Sequence, residues 1–292
     1  MRSRLASLRS ALVLLASLLF VPTRAGAVNL VPNPSFENFT SISGCPTSFS
    51  NFNDAGPWFT PTLGTSDYFN ACASGPFAPG VPTSILGFQP AHTGIAHAGF
   101  ISNSFQNYHE YCEVQLSSPL ANSVLYTVEF WINLADQCDR GIDRVGAYLS
   151  NGPITNFSSN ITLPVTPQIE TPQFLTFTDK INWVKVSGTI IGAGQDHITI
   201  GSFRDSVAGT ETSLPGIFPY AYYYLDDVSV APLLPVDQAC CLPNGQCTIM
   251  LPGECQAQGG TPMGVGSVCS AGACTPLPVR RGTWGEIKSR YR

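Results

Sequence analysis

Hydrophobic and polar residues alternate in short patches along residues 28–230, and Gly, Pro, Asn and Ser separate the patches. Alternation with a period of two is typical of strands with one buried face, and no window carries the 3.6-residue spacing of an amphipathic helix. The clearest predicted strands cover residues 125–134, 183–191, 197–203 and 222–230. A region of about 200 residues with this pattern predicts one all-β domain, a β-sandwich or jelly roll.

Pro and Gly are concentrated in two parts of this domain, residues 45–89 and 155–178. Both residue types favour turns and weaken the interior of strands. We therefore expect these two segments to form long surface loops, with the sheets built from the strands around them.

The two ends of the chain differ from this β-rich region. Residues 1–27 combine a basic start, an apolar run over residues 11–21 and a small-residue cleavage site, which is the pattern of a signal peptide. No later stretch is apolar enough for a transmembrane helix. The sequence therefore predicts an exported protein that is secreted, periplasmic or at the cell surface.

Three shorter segments follow the domain. Residues 231–237 contain two prolines and predict a stiff linker, and residues 238–275 form a cysteine-rich module. Residues 276–292 are a basic tail in which Trp284, Ile287 and Tyr291 would share one face of a helix. Such a tail could dock on an anionic surface or be read by sorting machinery, and a solvated terminus is the alternative.

The cysteines predict disulfides in both regions. The domain holds Cys45, Cys72, Cys112 and Cys138, and the module holds Cys240, Cys241, Cys247, Cys255, Cys269 and Cys274. Even counts in an exported chain favour disulfides, and pairing between neighbours would join Cys45 to Cys72 and Cys112 to Cys138. Zinc binding is the alternative explanation for the cysteines of the module, but no Cys-x-x-Cys spacing supports it. A module of this size needs such cross-links because its core is small.

Charge excludes one class of partner. Residues 28–279 hold 18 acidic and five basic residues, a net charge of −13. Binding to phosphates needs clustered Lys and Arg, so no nucleic-acid partner is expected.

The predicted strand 125–134 has two unlike faces. The apolar face, expected to lie in the core, carries Tyr126, Val128, Phe130, Ile132 and Leu134. The other face carries Thr127, Glu129, Trp131 and Asn133. A Trp among hydrogen-bonding groups suits sugar recognition, because its ring can stack on a pyranose while amides and carboxylates bind hydroxyls. Trp183 lies in a predicted strand with a similar alternation. The alternative to sugar binding is that loops cover Trp131 and Trp183 and both indoles are simply packed beneath them.

Acidic residues stand near both ends of the domain. Glu37 closes the first motif, and Asp226 and Asp227 lie in an aromatic strand some 190 residues later. First and last strands of a sandwich often lie side by side, which would bring these carboxylates to one edge. Calcium prefers six to eight oxygen ligands, so the pattern is compatible with a calcium site. Alternatively, the two Asp residues end a strand and begin a turn.

Catalytic patterns are scarce in this sequence. Four scattered His residues come with no Gly-x-Ser-x-Gly or His-Glu-x-x-His motif. Carboxylates for glycoside hydrolysis could come from Asp136, Asp139 and Asp143 or from Glu110 and Glu113, but closeness in sequence does not give the required separation across a sugar. Residues 136–144 are better explained as a polar loop in which acids and Arg pair locally.

Nine short motifs follow one another in order along the domain: residues 29–37 (NLVPNPSFE), 66–72 (SDYFNAC), 81–82 (VP), 87–91 (GFQPA), 94–99 (GIAHAG), 110–111 (EY), Trp183, 200–203 (IGSF) and 223–228 (YYLDDV). This ordered series resembles a family of secreted galactose-binding-like, jelly-roll domains from Bacteroidetes-type bacteria, often found before an OmpA-like domain. The series covers nearly all of residues 28–230. The outer motifs are also similar to those of carbohydrate-binding modules, and this resemblance implies a structural calcium held by Glu37 and by Asp226 or Asp227.

These observations favour a non-catalytic exported binding protein: a calcium-stabilised jelly roll that recognises glycan or another cell-envelope component. The alternative is a structural or adhesive surface protein that contacts other proteins. A carbohydrate-active hydrolase is the least favoured function. No OmpA-like domain follows residue 230, so the resemblance implies no peptidoglycan anchor.

Overall fold

The structure is a computed structural model that describes residues 27–39, 44–103, 107–155, 161–205, 211–233, 237–264 and 266–274. Its strands, in chain order, are β1 (Asp67–Asn70), β2 (Thr83–Ser84), β3 (Gly87–Phe88), β4 (Ala96–Asn103), β5 (Tyr111–Gln115), β6 (Leu125–Leu134), β7 (Arg140–Ile142), β8 (Val145–Ser150), β9 (Ile169–Glu170), β10 (Val184–Ile191), β11 (His197–Ser202), β12 (Glu211–Ser213), β13 (Ala221–Pro232), β14 (Gln238–Cys241), β15 (Cys247–Met250) and β16 (Thr261–Pro262). A 3-10 turn covers Phe52–Ala55, and a short helix, α1, covers Pro252–Ala257.

The main domain is a jelly-roll β-sandwich of two antiparallel sheets. Five strands form one sheet in the order β1-β4-β13-β6-β10, and four form the other in the order β5-β11-β8-β9. The apolar side chains of β6 lie in the core between the sheets, each no more than 5% exposed: Tyr126, Val128, Phe130, Ile132 and Leu134. The predicted all-β fold and the inward face of this strand are confirmed.

The predicted strands agree closely with the observed ones, except that the last strand runs further. β6 covers the predicted residues, whereas β13 continues to Pro232, which still pairs with Tyr126. Pro232 is tolerated because it is the final residue of the strand, where a missing N–H costs least. The strand therefore extends two residues into the segment predicted to be a linker.

The prediction that residues 45–89 form only a surface loop is wrong. This segment contributes β1, an edge strand whose four residues are all buried, and it places Phe52 and Trp58 in the core at 1% exposure each. Residues 155–178 likewise contain β9, which pairs with β8. Pro and Gly mark the turns in these segments, but the aromatic residues between the turns cover the sandwich and exclude water.

The disulfide predictions are confirmed in part. Cys45 is bonded to Cys72 as expected, but Cys112 and Cys138 are free, buried thiols, so the predicted bond between them is wrong. Burial raises the pKa of Cys112 well above its ordinary value and that of Cys138 to about 12. Both residues fill the core as small apolar side chains, a role that an even count of cysteines does not reveal.

We expect thiol titration to find two free thiols per chain, both unreactive until the protein unfolds. Native protein should react slowly with an aromatic disulfide reagent, because buried, protonated thiols are poor nucleophiles. In denaturant without reductant, two of the ten cysteines should react. Finding none in denaturant would mean that Cys112 and Cys138 are oxidised after all.

The C-terminal module is held by disulfides, as predicted. β14, β15 and β16 form a three-stranded sheet with α1 beside it. Its three bonds are Cys240–Cys255, Cys241–Cys274 and Cys247–Cys269. The predicted signal peptide and basic tail lie outside the described residues, apart from Ala27. Across the part of the chain that the structure describes, no helix has the length and apolar character needed to cross a membrane.

Candidate functional site

One side of the five-stranded sheet packs on the core, and the opposite side, named here the outer face, collects aromatic and acidic side chains. The strand register places Asp67 opposite Gly99 and Asp226 opposite Trp131. Since side chains alternate along each strand, the members of this face follow from those pairs. They include Asp67, Phe69, His97, Ile101, Tyr222, Tyr224, Asp226, Trp131 and Lys185.

Aromatic rings form a continuous row across the outer face. Phe69 stacks on His97 with ring centres 4.8 Å apart, and Tyr224 packs edge-on against both rings. Trp183 lies 5.8 Å from His97 and extends the row toward β6. Burial lowers the pKa of His97 to about 4, so this imidazole is neutral at physiological pH and belongs to the aromatic layer.

At one end of the row, Trp131 already has partners within the protein. His92 stacks on its ring at 4.1 Å, and the Lys185 Nζ atom lies 5.9 Å from the ring centre. The Trp183 indole N–H donates to the Pro90 carbonyl at 3.0 Å. The loop that contains Pro90 and His92 thus covers part of the face on which the sequence placed a sugar-binding site.

The other residues predicted beside Trp131 divide into two groups. Thr127 and Glu129 are half-buried at the surface, and Glu129 accepts a hydrogen bond from Lys185 at 3.1 Å. Asn133 is only 1% exposed, and its amide donates to the Asn182 carbonyl at 3.0 Å. Asn133 therefore ties β6 to a neighbouring loop, and its amide donors are turned toward that loop's backbone.

At the other end of the row, the outer face opens into a pocket of about 230 Å³, named here the Asp67 pocket. Its lining residues are Phe49, Ser50, Thr65, Asp67, Ile85, Leu86, Ile101, Phe218, Tyr220 and Tyr222. Phe218 and Tyr220 are half-buried and stack on each other with ring centres 5.5 Å apart. An apolar, aromatic pocket with a few convergent polar groups is the usual form of a small-ligand site.

A buried carboxyl group lies among the residues that line this pocket. Asp67 is 4% exposed, and its two oxygens accept hydrogen bonds from the Ser50 backbone N–H at 2.5 Å and the Tyr222 hydroxyl at 2.6 Å. Burial, and then the charge of nearby Glu110, raise the pKa of Asp67 to about 8. Asp67 is therefore mostly protonated at neutral pH when the pocket is empty of cations.

Glu110 lies next to Asp67 and is 1% exposed. Its Oε1 atom accepts bonds from the Thr65 backbone and hydroxyl and from the Tyr108 hydroxyl, and its Oε2 atom accepts one from the Ile101 backbone. Burial raises the pKa of Glu110 as well. Four donors hold this carboxyl in place, and it is not among the residues that line the pocket.

The carboxylates predicted to bind calcium lie around one loop, residues 92–96. Glu37 Oε1 accepts bonds from the backbone N–H groups of Ile95 at 2.9 Å and Ala96 at 3.1 Å. Asp226 Oδ2 accepts bonds from the backbone of His92 at 2.8 Å and Thr93 at 3.2 Å. The first and last segments of the domain are therefore adjacent, and this loop lies between Glu37 and Asp226.

Asp227 completes this acidic edge. It occupies a bulge of β13 with a φ of +47°, and its carboxylate accepts bonds from the hydroxyls of Ser35 and Thr93 and contacts His92. Burial, and then the charge of Asp227, raise the pKa of Asp226 to about 8. Within the described ranges, no group of three or more His, Cys, Asp or Glu side chains converges to hold a metal ion, so the calcium ligand set stays a prediction.

Comparisons with known proteins give structural neighbours and no family. No family model matches the chain, and no curated protein matches it. Among solved structures, the CBM22-1 xylan-binding domain of Paenibacillus barcinonensis Xyn10C is 11% identical, with 72% of this chain and 98% of that domain covered and a TM-score of 0.36. A K3 cleaved adhesin domain of Lys-gingipain from Porphyromonas gingivalis is 17% identical, with coverages of 70% and 99% and a TM-score of 0.34.

A third neighbour is a putative sugar-binding protein from Bacteroides thetaiotaomicron, 10% identical, with coverages of 70% and 100% and a TM-score of 0.35. Identities and TM-scores this low carry no argument about function. A functional proposal therefore has to rest on this chain's own side chains, those of the outer face and the Asp67 pocket.

The acidic residues considered for hydrolysis are engaged in local contacts. Asp139 pairs with Arg140 at 2.8 Å and Asp143 lies 3.6 Å from Arg144, so the predicted local pairs are present. The prediction that the whole of residues 136–144 is a loop is wrong, because Arg140–Ile142 form β7 and pair with β12. Asp136 accepts a bond from the Phe88 backbone at 2.9 Å. Glu113 is fully buried and accepts one from Ile154 at 2.9 Å.

Sequence reasoning missed the Asp67 pocket. Its lining comes from five separate parts of the chain, within residues 49–50, 65–67, 85–86, 101 and 218–222. One signal was present: Asp67 is an acidic residue directly before two aromatic residues in a chain with only 11% charged residues. An acid at such a buried position is a candidate for function.

Proposed function

We propose that this protein is a non-catalytic, exported binding protein whose jelly roll recognises glycan through the outer face. The observation that carries the proposal is the Asp67 pocket, in which the rings of Phe218 and Tyr220 stand beside a buried carboxyl group. Aromatic rings can stack on the apolar face of a sugar, and polar groups at the floor and rim can bind its hydroxyls. The four disulfides support an extracellular location.

The Trp131 end of the outer face would make the secondary contacts of a longer ligand. Asp226, which lies opposite Trp131, is four residues from Tyr222 along β13, a distance of roughly 13 Å at the rise of a strand. Trp131, Glu129, Thr127 and Trp183 are close enough to meet neighbouring units of an oligosaccharide. Because Trp131 already contacts His92 and Lys185, we expect it to contribute less to glycan binding than the pocket does.

A glycan array followed by calorimetry tests this function. We expect Tyr220→Ala to weaken binding of the best oligosaccharide at least about tenfold, because it removes a stacking ring from the pocket. Trp131→Ala should have a smaller effect. Phe77→Ala is the matched control, since Phe77 is 68% exposed and lies outside the pocket. An array with no bound glycan would contradict the proposal.

We further propose that Glu37, Asp226 and Asp227 hold a structural calcium ion. The donor chemistry fits: these are hard carboxylate oxygens, with the hydroxyls of Ser35 and Thr93 beside them. A bound cation would supply positive charge to two adjacent Asp carboxyls, one of which has its pKa raised to about 8 by burial and its neighbour. These residues would then fix the first segment of the domain against β13.

We expect chelator to lower the melting temperature by several degrees and excess calcium to restore it, because a ligand that binds only the folded state stabilises it. Asp227→Ala and Glu37→Gln should each abolish this sensitivity. Glu254→Gln, a charge removed from helix α1 of the cysteine-rich module, should keep it. An unchanged melting curve in chelator would rule out the calcium site.

A further inference from the structure

Two buried carboxyl groups lie at the Asp67 pocket without a basic side chain, among those that the structure describes, to pair with them. Asp67 and Glu110 are both nearly fully buried, and the charge of Glu110 acts on Asp67. Within the described residues, neither carboxyl group forms an ion pair with a Lys, Arg or His side chain. Buried carboxyl groups without a basic partner stay neutral by holding a proton, and a cation that enters the pocket can take the place of that proton.

The walls of the pocket suit a cation as well. Phe49, Phe218, Tyr220 and Tyr222 line it together with the carboxyl group of Asp67. Aromatic faces attract ammonium groups, and this attraction is stronger where water is excluded. Aromatic walls beside an acid are a known arrangement for recognising organic cations.

The volume and the rim limit the size of the ligand. A volume of about 230 Å³ is enough for one sugar ring and small for an oligosaccharide. Ser50 and Thr65 are exposed residues at the pocket and can meet hydroxyl groups. These features favour a single monosaccharide unit with its amino group directed at Asp67.

We propose that the Asp67 pocket binds one sugar unit that carries a protonated amine, an unacetylated hexosamine, with its ammonium group on the Asp67 carboxylate. This inference rests on the proposed glycan-binding function and specifies the ligand. An N-acetyl group in the same position would carry no charge and would leave the carboxyl pair without a cation. The pocket therefore distinguishes a free amine from its acetylated form.

The binding step is linked to a proton. Free Asp67 is protonated at neutral pH, since burial and Glu110 raise its pKa to about 8. When the ammonium group binds, the Asp67 carboxyl releases its proton to solvent and the carboxylate pairs with the ammonium. Affinity should then rise with pH between about 5 and 7, by up to about tenfold per pH unit, until the amine itself loses its proton.

Other titratable groups near Asp67 do not account for such a dependence. Besides Glu110, they are Tyr108, Tyr220, Tyr222, Tyr224, Cys112 and His97. Burial raises the pKa of each of these tyrosines and of the thiol, and it lowers that of His97 to about 4. None of those groups changes charge between pH 5 and 7, which leaves the Asp67–Glu110 pair, titrating as a unit.

Calorimetry on the full chain tests the inference with four probes: tetramers of β-1,4-linked glucosamine, N-acetylglucosamine and glucose, and butylamine. We expect the glucosamine tetramer to bind at least tenfold more tightly than the other two sugars at pH 7, with release of close to one proton. Asp67→Asn keeps the shape of the side chain and should reduce binding to the level of the acetylated tetramer and remove the proton release. Asp54→Asn, the same charge change outside the pocket, should leave both unchanged.

The outcomes separate this inference from the proposed function. Equal binding of the acetylated or neutral tetramer, or an unaffected Asp67→Asn variant, would overturn the amine specificity while leaving glycan binding intact. Butylamine binding as tightly as the glucosamine tetramer would overturn the sugar assignment. A wild-type chain that binds none of these sugars nor any other on the array would overturn both proposals. Thermal melting of Asp67→Asn checks that the variant is folded.

Discussion

Replacing Trp58 with alanine is expected to destabilise the domain by about 3–5 kcal/mol, the range for deleting a buried aromatic side chain. Trp58 is 1% exposed, its ring centre lies 4.9 Å from that of Phe36, and its indole N–H donates to the Asn33 carbonyl at 3.0 Å. The substitution would leave a cavity and remove one of the contacts that hold the N-terminal segment to the sandwich. Against a usual total of 5–15 kcal/mol, this loss is large enough to leave the fold marginal.

Urea unfolding followed by circular dichroism measures this effect. The urea concentration at the midpoint should fall, while the dependence of the unfolding free energy on urea concentration should stay the same. Phe77→Ala is the control: Phe77 belongs to the same Pro- and Gly-rich segment but is 68% exposed, so its loss should change stability by no more than about 0.5 kcal/mol. A change below about 1 kcal/mol for Trp58→Ala would show that this segment packs against the sandwich only loosely.

Raising the pH from 6.5 to 8 is the second change with a large expected effect, a loss of stability. Burial, and then Glu110, raise the pKa of Asp67 from 3.8 to about 8, and burial, and then Asp227, raise that of Asp226 from 3.8 to about 8. Burial also raises the pKa of Glu113 from 4.5 to about 7. In this window the unfolded chain has already released these protons and the folded chain still holds part of them. Stability present at lower pH is therefore lost as the pH rises toward 8, by up to about 1.4 kcal/mol per pH unit for each group.

Two buried histidines affect stability in the opposite direction, mainly below pH 6.5. Burial lowers the pKa of His97 and of His109 from 6.5 to about 4 in the folded chain. The unfolded chain takes up protons on these residues below pH 6.5, which lowers stability as the pH falls. Between pH 6.5 and 8 their combined contribution changes by less than about 1 kcal/mol, because the unfolded histidines lose most of their remaining charge near the start of the window. The carboxyl groups therefore decide the sign of the slope.

Melting temperatures across this window test the pH dependence. Asp67→Asn should make the curve less steep by the share that Asp67 contributes, and the variant should be more stable than the wild type at pH 8, because an amide replaces a carboxyl group that has to ionise in a buried site. Asp54→Asn, which removes a carboxylate outside the pocket, should keep the wild-type slope. Parallel curves for wild type and Asp67→Asn would contradict the assignment of the slope to Asp67.

The fold was predicted best where the pattern is local. The alternation along β6 gave both its limits and its buried face, because successive side chains of a strand point to opposite sides whatever the rest of the chain does. The disulfide-linked module was predictable for a similar reason, since six cysteines in a segment too small for a large core leave few other ways to fold it. Nearness in sequence paired Cys45 with Cys72 correctly, but the same rule failed for Cys112 and Cys138, which are about equally close and remain free.

The candidate site was predictable only in part. The sequence indicated aromatic and acidic residues on the outer face of β6, but it could not reveal that His92 stacks on Trp131 or that Asn133 bonds to a loop. These contacts join residues that are about 40 and 50 positions apart, and no local pattern encodes them. The same limitation explains the wrong pairing of Cys112 with Cys138.

What the sequence by itself determined is the strand pattern, the acidic character of the body and the division into a domain and a cysteine-rich module. Only the tertiary structure decided that Trp58 is a core residue, that Cys112 and Cys138 remain free thiols, and that Asp67 lies in an aromatic pocket next to Glu110. The physical reason is burial. How far water is excluded from a side chain, and which group shares its pocket, depends on residues distant in the chain, and these two factors set both packing energies and the pKa of an acid.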